Sequence, residues 1–300
     1  MRAFFLNIFQ YPEKYIQMKK LFIFGSICLL ALTSMAPGSA TTKETLPGGE
    51  KLPSLLSNSY SDESVAVRHV VDSLFTTMGL EKIGLKKSVF FAGLKGYEYL
   101  LSKNKIRKEG ILTICDYSQS SSQKRLYVLD LDHAKVLFNT YVSHGKNSGG
   151  EYATSFSNRE DSHKSSLGFM ITDETYFGKA GFSLRFDGME KGINNNVRSR
   201  DIVMHGSNYV NGERADEGQI GRSYGCPAVP FAISKRIINT IKGGTCFFGY
   251  SNDKWYATSS SIMKARFDWP IAKPLLPEPI VPVEGLVKVT PPPTIISAAK

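Results

Sequence analysis

Ile111-Leu112-Thr113-Ile114-Cys115-Asp116-Tyr117, then Arg125-Leu126-Tyr127-Val128-Leu129-Asp130, then Val136-Leu137-Phe138-Asn139-Thr140-Tyr141-Val142-Ser143, decide the fold. Each run is short, rich in β-branched or aromatic residues, and bounded by turn formers, which is the pattern of a strand. Asp132-His133 lies between the second and third, so those two form a hairpin. Downstream the same reading gives strands at 168–172, 182–186, 202–205 and 245–250. One helix is expected at about 231–241, ended by Gly243-Gly244. Many short strands with glycine turns and one late helix argue a mostly-β, α+β domain.

Upstream the period lengthens. Val67, Val70, Val71, Leu74, Phe75 and Met78 recur at helical spacing on one face, and Gly79 stops the helix. A second helix is expected from Ser88 as N-cap, with Phe91, Leu94 and Leu101 turned inward. Residues 61–110 are therefore an N-terminal helical segment, either a subdomain or a buttress for the β-rich part, residues 111–265. Beyond it, the prolines at 274, 277, 279, 282 and 291–293 favour an extended tail, placed at 266–300.

The chain has 300 residues and a formal charge of +10. Lys19-Lys20, an apolar run Leu21–Leu32 and the small-residue end Gly38-Ser39-Ala40 form an export signal over residues 1–40. Met18 is the better start, and an uncleaved anchor is the alternative reading. The apolar run is short for a membrane span, so no stable span is expected once the signal is cut. Cys28 follows Ile27 in mid-run, against an acylation site. Residues 41–60 read as a linker. The first forty residues hold Arg2, Lys14, Lys19, Lys20 and Glu13, which leaves +7 on the rest. That excess is dispersed, suits an anionic envelope or acidic substrate, and offers nucleic acid no basic stripe.

Export leaves Cys115, Cys226 and Cys246, an odd count that requires a free thiol. Cys115 and Cys246 sit in apolar strands; whether they pair is open. Cys226 differs: it lies in Gly221-Arg222-Ser223-Tyr224-Gly225-Cys226-Pro227, just ahead of the predicted helix. At a helix N-terminus a thiol is biased toward thiolate. Gly225 lets the amides of Tyr224, Gly225 and Cys226 converge on one oxyanion. His205 ends a predicted strand and Gly206 follows it, so a base can be held rigidly for Cys226. On residues alone, core filler and surface polar group remain the competing readings.

His205-Gly206, a gap, then Ser223-x-Gly225-Cys226 resembles the catalytic motif of the L,D-transpeptidases (YkuD-like). It is most similar to the murein L,D-transpeptidase branch with G-R-S-x-G-C-P-A. The likeness extends from about residue 111 to 250 and includes Ser143-His144-Gly145, Gly188-x-Glu190-x-Gly192-Ile193-Asn194 and Arg198-Ser199-Arg200. The resemblance implies a YkuD-like β-sandwich or barrel and a cysteine acyl-enzyme acting on peptidoglycan stem tetrapeptides in the periplasm or cell envelope. The acyl group passes to an amine, or to water in a carboxypeptidase or endopeptidase. It makes Cys226 the nucleophile and His205 its base, oriented by a carbonyl near Gly206; no cofactor or metal is implied.

Two departures stand out. Tyr224 occupies the place of a histidine, and Ala228 that of an arginine two places after the cysteine. Arg222 is the candidate replacement for reading a substrate carboxylate, with pairing to Glu217 as its alternative. Ser223 and His144 are further substrate-binding candidates, and Tyr224 leaves an inactive peptidoglycan-binding module open. Residues 159–163 could ligate a cation, but read better as a solvated loop. No H-E-x-x-H occurs, which excludes the usual zinc peptidase, and the T-L-x-T-C of sortases is missing. The oligomeric state is open.

Overall fold

The computed structural model describes residues 60–218 and 220–272. The expected signal, the linker up to residue 59 and the proline-rich stretch from residue 273 lie outside the described residues.

Helix α1, Val65–Thr77, starts where Ser64 caps the backbone N–H of Val67 through its side chain. Its buried stripe is Val67, Val71, Leu74 and Phe75, as the spacing requires. Helix α2 is Lys87–Ser102, capped by the backbone of Lys86; Ser88 lies inside its first turn and is not the cap. It packs on β1, Ile111–Asp116. The remaining strands are β2, Leu126–Asp130, β3, Lys135–Thr140, β4, Gly168–Gly178, β5, Gly181–Gly188, β6, Val203–Ser207, β7, Ala228–Pro230, and β8, Cys246–Tyr250. Helix α3 is Gly212–Asp216, α4 is Phe231–Ile241, α5 is Lys254–Ser259 and α6 is Ser261–Lys264.

All eight strands form one sheet in the order β3-β2-β1-β8-β4-β5-β6-β7. Pairing is antiparallel except for β1 with β8 and β6 with β7. The sheet curls until its two edges almost meet. Just past β3, Ser143 N donates to Ala228 O at 2.8 Å and Lys146 N to Ser223 O at 2.7 Å. Ser223 N donates back to His144 O at 2.9 Å. The result is a nearly closed barrel with helices against it, mostly β, as expected.

One core joins the helices and the barrel. Phe169 stacks on Phe248 at 4.1 Å between ring centres, and Phe186 meets Phe247 at 4.9 Å. Each such fully buried side chain contributes about 1.5–3 kcal/mol. The expected tail boundary at 265/266 falls inside this core. Phe267 stacks on Trp269, Trp269 on Phe91, and Ile271 N donates to the buried carboxylate of Glu98. Two aromatics bury too much apolar surface to be left in a solvated tail. Cys115 and Cys246 are both buried and free; their strands run parallel with Leu112, not Cys115, opposite Cys246.

Behind the closure lies Arg125, fully buried. Its guanidinium donates to Val142 O, Gln119 O and, at 2.8 Å, His144 Nδ1. Accepting from an arginine fixes the His144 proton on Nε2. Burial first, then the Arg125 charge, push His144 down to about 4. An unfolded histidine titrates near 6.5, so at lower pH the unfolded chain takes up a proton that the native site refuses. The His144 contribution is therefore complete above about pH 6.5 and is lost as pH falls toward 4, at up to about 1.4 kcal/mol per pH unit. His144→Gln can still accept from Arg125 but does not titrate. The gap in melting temperature between wild type and this variant should narrow from pH 7 to pH 4; a constant gap would contradict the assignment.

Candidate active site

The site is built on the last two strands of the barrel. In the parallel pair β6 and β7, His205 stands opposite Ala228, and across the other edge of β6 it faces Ser183 of β5. Cys226 precedes Ala228 by two residues and lies level with Val203, whose N–H reaches its sulfur.

His205 Nδ1 donates to Gly206 O at 3.0 Å. This sets the tautomer and leaves Nε2 with its lone pair, able to take a proton. Glycine is needed at 206 because α4 crosses there: a Cβ would stand 2.8 Å from Ser234 Cβ and 2.5 Å from its hydroxyl.

The Cys226 thiol is half-buried and held by backbone. It accepts from Val203 N at 3.5 Å and donates to Asp201 O at 3.5 Å. Asp201 presents that carbonyl from a left-handed conformation, φ 50°, that non-glycine residues rarely adopt. The expected Cys226–His205 hydrogen bond is therefore not made in this state. The thiol takes the nearer backbone partners, as catalytic bonds often stay loose without substrate.

The helix-dipole argument also fails. Strand β7 separates Cys226 from α4, which begins only at Phe231. Burial dominates the thiol and raises it; Val203 N–H and the Arg200 charge oppose this, and the Asp201 carboxylate adds to it. The net direction is upward, so the resting group is a neutral thiol and a base must remove its proton.

Ser223 shapes the turn before Cys226. It is buried, its hydroxyl donates to Cys226 O at 2.6 Å, and it accepts from Gly225 N at 3.1 Å. Gly225 has φ 123°, and a Cβ there would lie 2.8 Å from Lys164 O, so only glycine fits. Because Ser223 consumes the Gly225 amide, the expected trio of oxyanion donors reduces to two. The N–H groups of Tyr224 and Cys226 make no hydrogen bond among the described residues.

Tyr224 points outward, 66% exposed, with Lys146 Nζ 4.3 Å from its ring centre and the His163 ring edge-on at 4.7 Å. Arg222 is exposed; its Nη1 donates to Gly149 O at 3.1 Å and Lys146 O at 3.4 Å, and it pairs with no carboxylate, Glu217 included, among the described residues. His144 and Ser223 are buried with their polar atoms engaged, so both support the site from inside and neither lies where a substrate reaches it.

Sequence reasoning missed Arg200, Asp201, Lys146, His163 and Ser165. Arg200 stood in a quoted motif and His163 in the run weighed for a cation, whereas nothing in the sequence tied the others to the site. Glu190 and Asn194, from another quoted motif, are structural. Glu190 accepts from Phe169 N at 2.7 Å and Tyr256 at 3.1 Å, and Asn194 donates to Leu167 O at 2.8 Å. No group of acidic, histidine or cysteine residues among those described could hold a metal ion. A cavity of about 350 Å³ between α1 and α2 shares no residue with the site.

Gly225→Ala should cost at least about 1–3 kcal/mol from φ strain alone and push Lys164 O away. Denaturant titration should show the loss, and iodoacetamide labelling of Cys226 should fall with it. A variant of wild-type stability and labelling would refute this account of the turn.

The family model for the L,D-transpeptidase catalytic domain matches residues 81–250. Among solved structures, an L,D-transpeptidase from Mycobacterium smegmatis is 12% identical with a TM-score of 0.31, and the match covers 47% of this chain and 59% of that one. The Ldtfm–avibactam carbamoyl enzyme is 14% identical with a TM-score of 0.29, covering 48% of this chain and 50% of the other. An L,D-transpeptidase from Stackebrandtia nassauensis is 14% identical, TM-score 0.29, covering 67% and 89%. The chain thus spans little more than half the length of the first two. No curated protein matches the chain.

Proposed function

The chain belongs to the L,D-transpeptidase catalytic domain family, and from that premise we propose that it is a cysteine acyltransferase acting on peptidoglycan stem tetrapeptides. The observation that carries this reading is one constellation. His205, its Nδ1 tied to Gly206 O, keeps Nε2 free on β6, and the half-buried Cys226 meets the same strand at Val203 N from a turn that offers two amides unpaired among the described residues.

In the proposed cycle, His205 Nε2 takes the Cys226 proton as the sulfur attacks the carbonyl carbon of the stem's L,D-peptide bond. The negative oxygen is met by the amides of Tyr224 and Cys226. The C–N bond breaks, imidazolium His205 protonates the departing D-amino acid's amine, and a thioester remains. An acceptor amine then attacks the thioester, losing its proton to His205, and the sulfur leaves and recovers that proton. Water in the acceptor's place would make the enzyme a carboxypeptidase or endopeptidase.

Arg222, exposed and free of a carboxylate partner, is the residue proposed to read a stem carboxylate. The expected export signal and the net charge of +10 suit work at an anionic cell envelope. No described helix is long and apolar enough to cross a membrane.

The test is mass spectrometry of disaccharide-tetrapeptide incubated with purified protein, with and without an added amine. Wild type should show a thioester-sized adduct on Cys226 and a new amide product. Cys226→Ala should show neither, and His205→Ala should slow turnover by about 10²–10⁴-fold. Trimmed stems alone would name the hydrolase. Turnover by Cys226→Ala, or none by a wild type that binds peptidoglycan, would overturn the proposal.

A further inference from the structure

Arg198 and Arg200 leave the same turn, and the fold treats them differently. Arg198 is neutralised, its guanidinium shared among Asp173, Glu174 and Asp187. Arg200 has no carboxylate among its partners. Its Nη1 donates to Ser157 O and to Ser166 Oγ at 2.8 Å, and its Nη2 to Ser162 Oγ at 3.1 Å and Lys164 O at 2.7 Å. Both terminal nitrogens are thereby saturated. The group cannot turn to grip a substrate carboxylate without releasing these bonds.

All four acceptors lie in one segment, 157–166, and that segment rests against the Cys226 turn. Ser165 Oγ donates to Gly225 O at 3.3 Å and accepts from Gly145 N at 3.0 Å. Lys164 O occupies the space a side chain at 225 would need. Arg200 is also bonded directly to Asp201, whose carbonyl receives the thiol proton. Its charge is only partly exposed, so salt and water screen it less than they screen a surface arginine.

We propose that Arg200 is a positioning residue for Cys226, locking segment 157–166 against the nucleophile's turn and presenting an unneutralised positive charge to the sulfur. The proposal rests on Cys226 being the nucleophile. Other charged groups around it leave this role open. The Asp201 carboxylate is engaged by Arg185 at 3.3 Å, and Arg185 also pairs with Glu174. His205 is turned to Gly206 O, Lys164 Nζ to Ser155 Oγ, and Lys146 and His163 to the Tyr224 ring. Tyr209, beyond β6, is shifted upward mainly by burial and only last by Cys226. In the same direction, Arg200 is among the groups that favour the Cys226 thiolate.

The test is the pH dependence of Cys226 alkylation by iodoacetamide, located by peptide mapping, which needs no peptidoglycan substrate. Burial holds Cys115 up at about 12 and Cys246 higher still, so neither competes. Arg200→Gln should move the alkylation midpoint up by about one pH unit, a roughly tenfold loss of rate at neutral pH. Arg198→Gln, from the neutralised neighbour, should leave it in place. Arg200→Lys keeps the charge and loses the fork, so its midpoint should stay within about 0.3 unit of wild type while segment 157–166 gains protease sensitivity. A Gln midpoint equal to wild type overturns the proposal. If the Gln variant fails to fold, a Lys midpoint raised by a full unit overturns it alone. A failed turnover assay leaves the alkylation result standing, so the two readings fail separately.

Discussion

The site depends on residues 143–146 bridging the two edges of the sheet. Without that bridge β7 would be three residues long, held on one side only by β6. With it, the chain is pinned just before and just after Cys226: Ser223 is bonded in both directions to His144 and Lys146, and Ala228 O accepts from Ser143 N. The turn between those pins is then short enough for Ser223, Gly225 and Ser165 to set its shape. The closure itself stands on Arg125, a buried cation whose desolvation is offset by carbonyls and by a histidine kept neutral. Such an arrangement tolerates little change, because each member satisfies another's buried polar group.

How much of this was legible in the sequence follows from how local each signal is. Helix α4, expected at about 231–241 and found at Phe231–Ile241, was readable because the Gly243-Gly244 stop is local. The strands at 111, 126, 168 and 246 were readable from β-branched and aromatic runs. Strand β7 was not: Ala228-Val229-Pro230 is too short and contains a proline. Missing it moved Cys226 to a helix terminus and suggested a dipole that the fold does not supply. Phe267 and Trp269 were assigned to a tail because the prolines beyond them dominate composition, yet stacking on Phe91 draws them into the core. His205 and Cys226 were legible as candidates from a motif, while Arg200, Asp201 and segment 157–166 meet the Cys226 turn only through tertiary contacts.

The electrostatics of the site favour transfer over a standing charge. A thiolate waiting in the barrel wall would need continuous solvation, and burial withholds it. The neutral thiol instead rests between a donor, Val203 N–H, and an acceptor, Asp201 O. In the proposed cycle, giving the proton to His205 would release the bond to Asp201 O while Val203 N–H stays on the sulfur. The strained φ of Asp201 belongs to this arrangement, since it aims the carbonyl at the thiol.

Tyr224 brings the same logic to the departure from the more usual histidine. Its ring projects away from the sulfur, sandwiched by Lys146 and His163, and its phenol is not among the partners of Cys226 or His205. Position 224 therefore contributes its backbone N–H and its fixed place in the turn, neither of which requires an imidazole. A side chain facing outward can change without disturbing the pair of free amides, provided Gly225 and Ser223 keep the turn. It is the backbone around Cys226, held by residues 143–146 and 157–166, that has to stay constant.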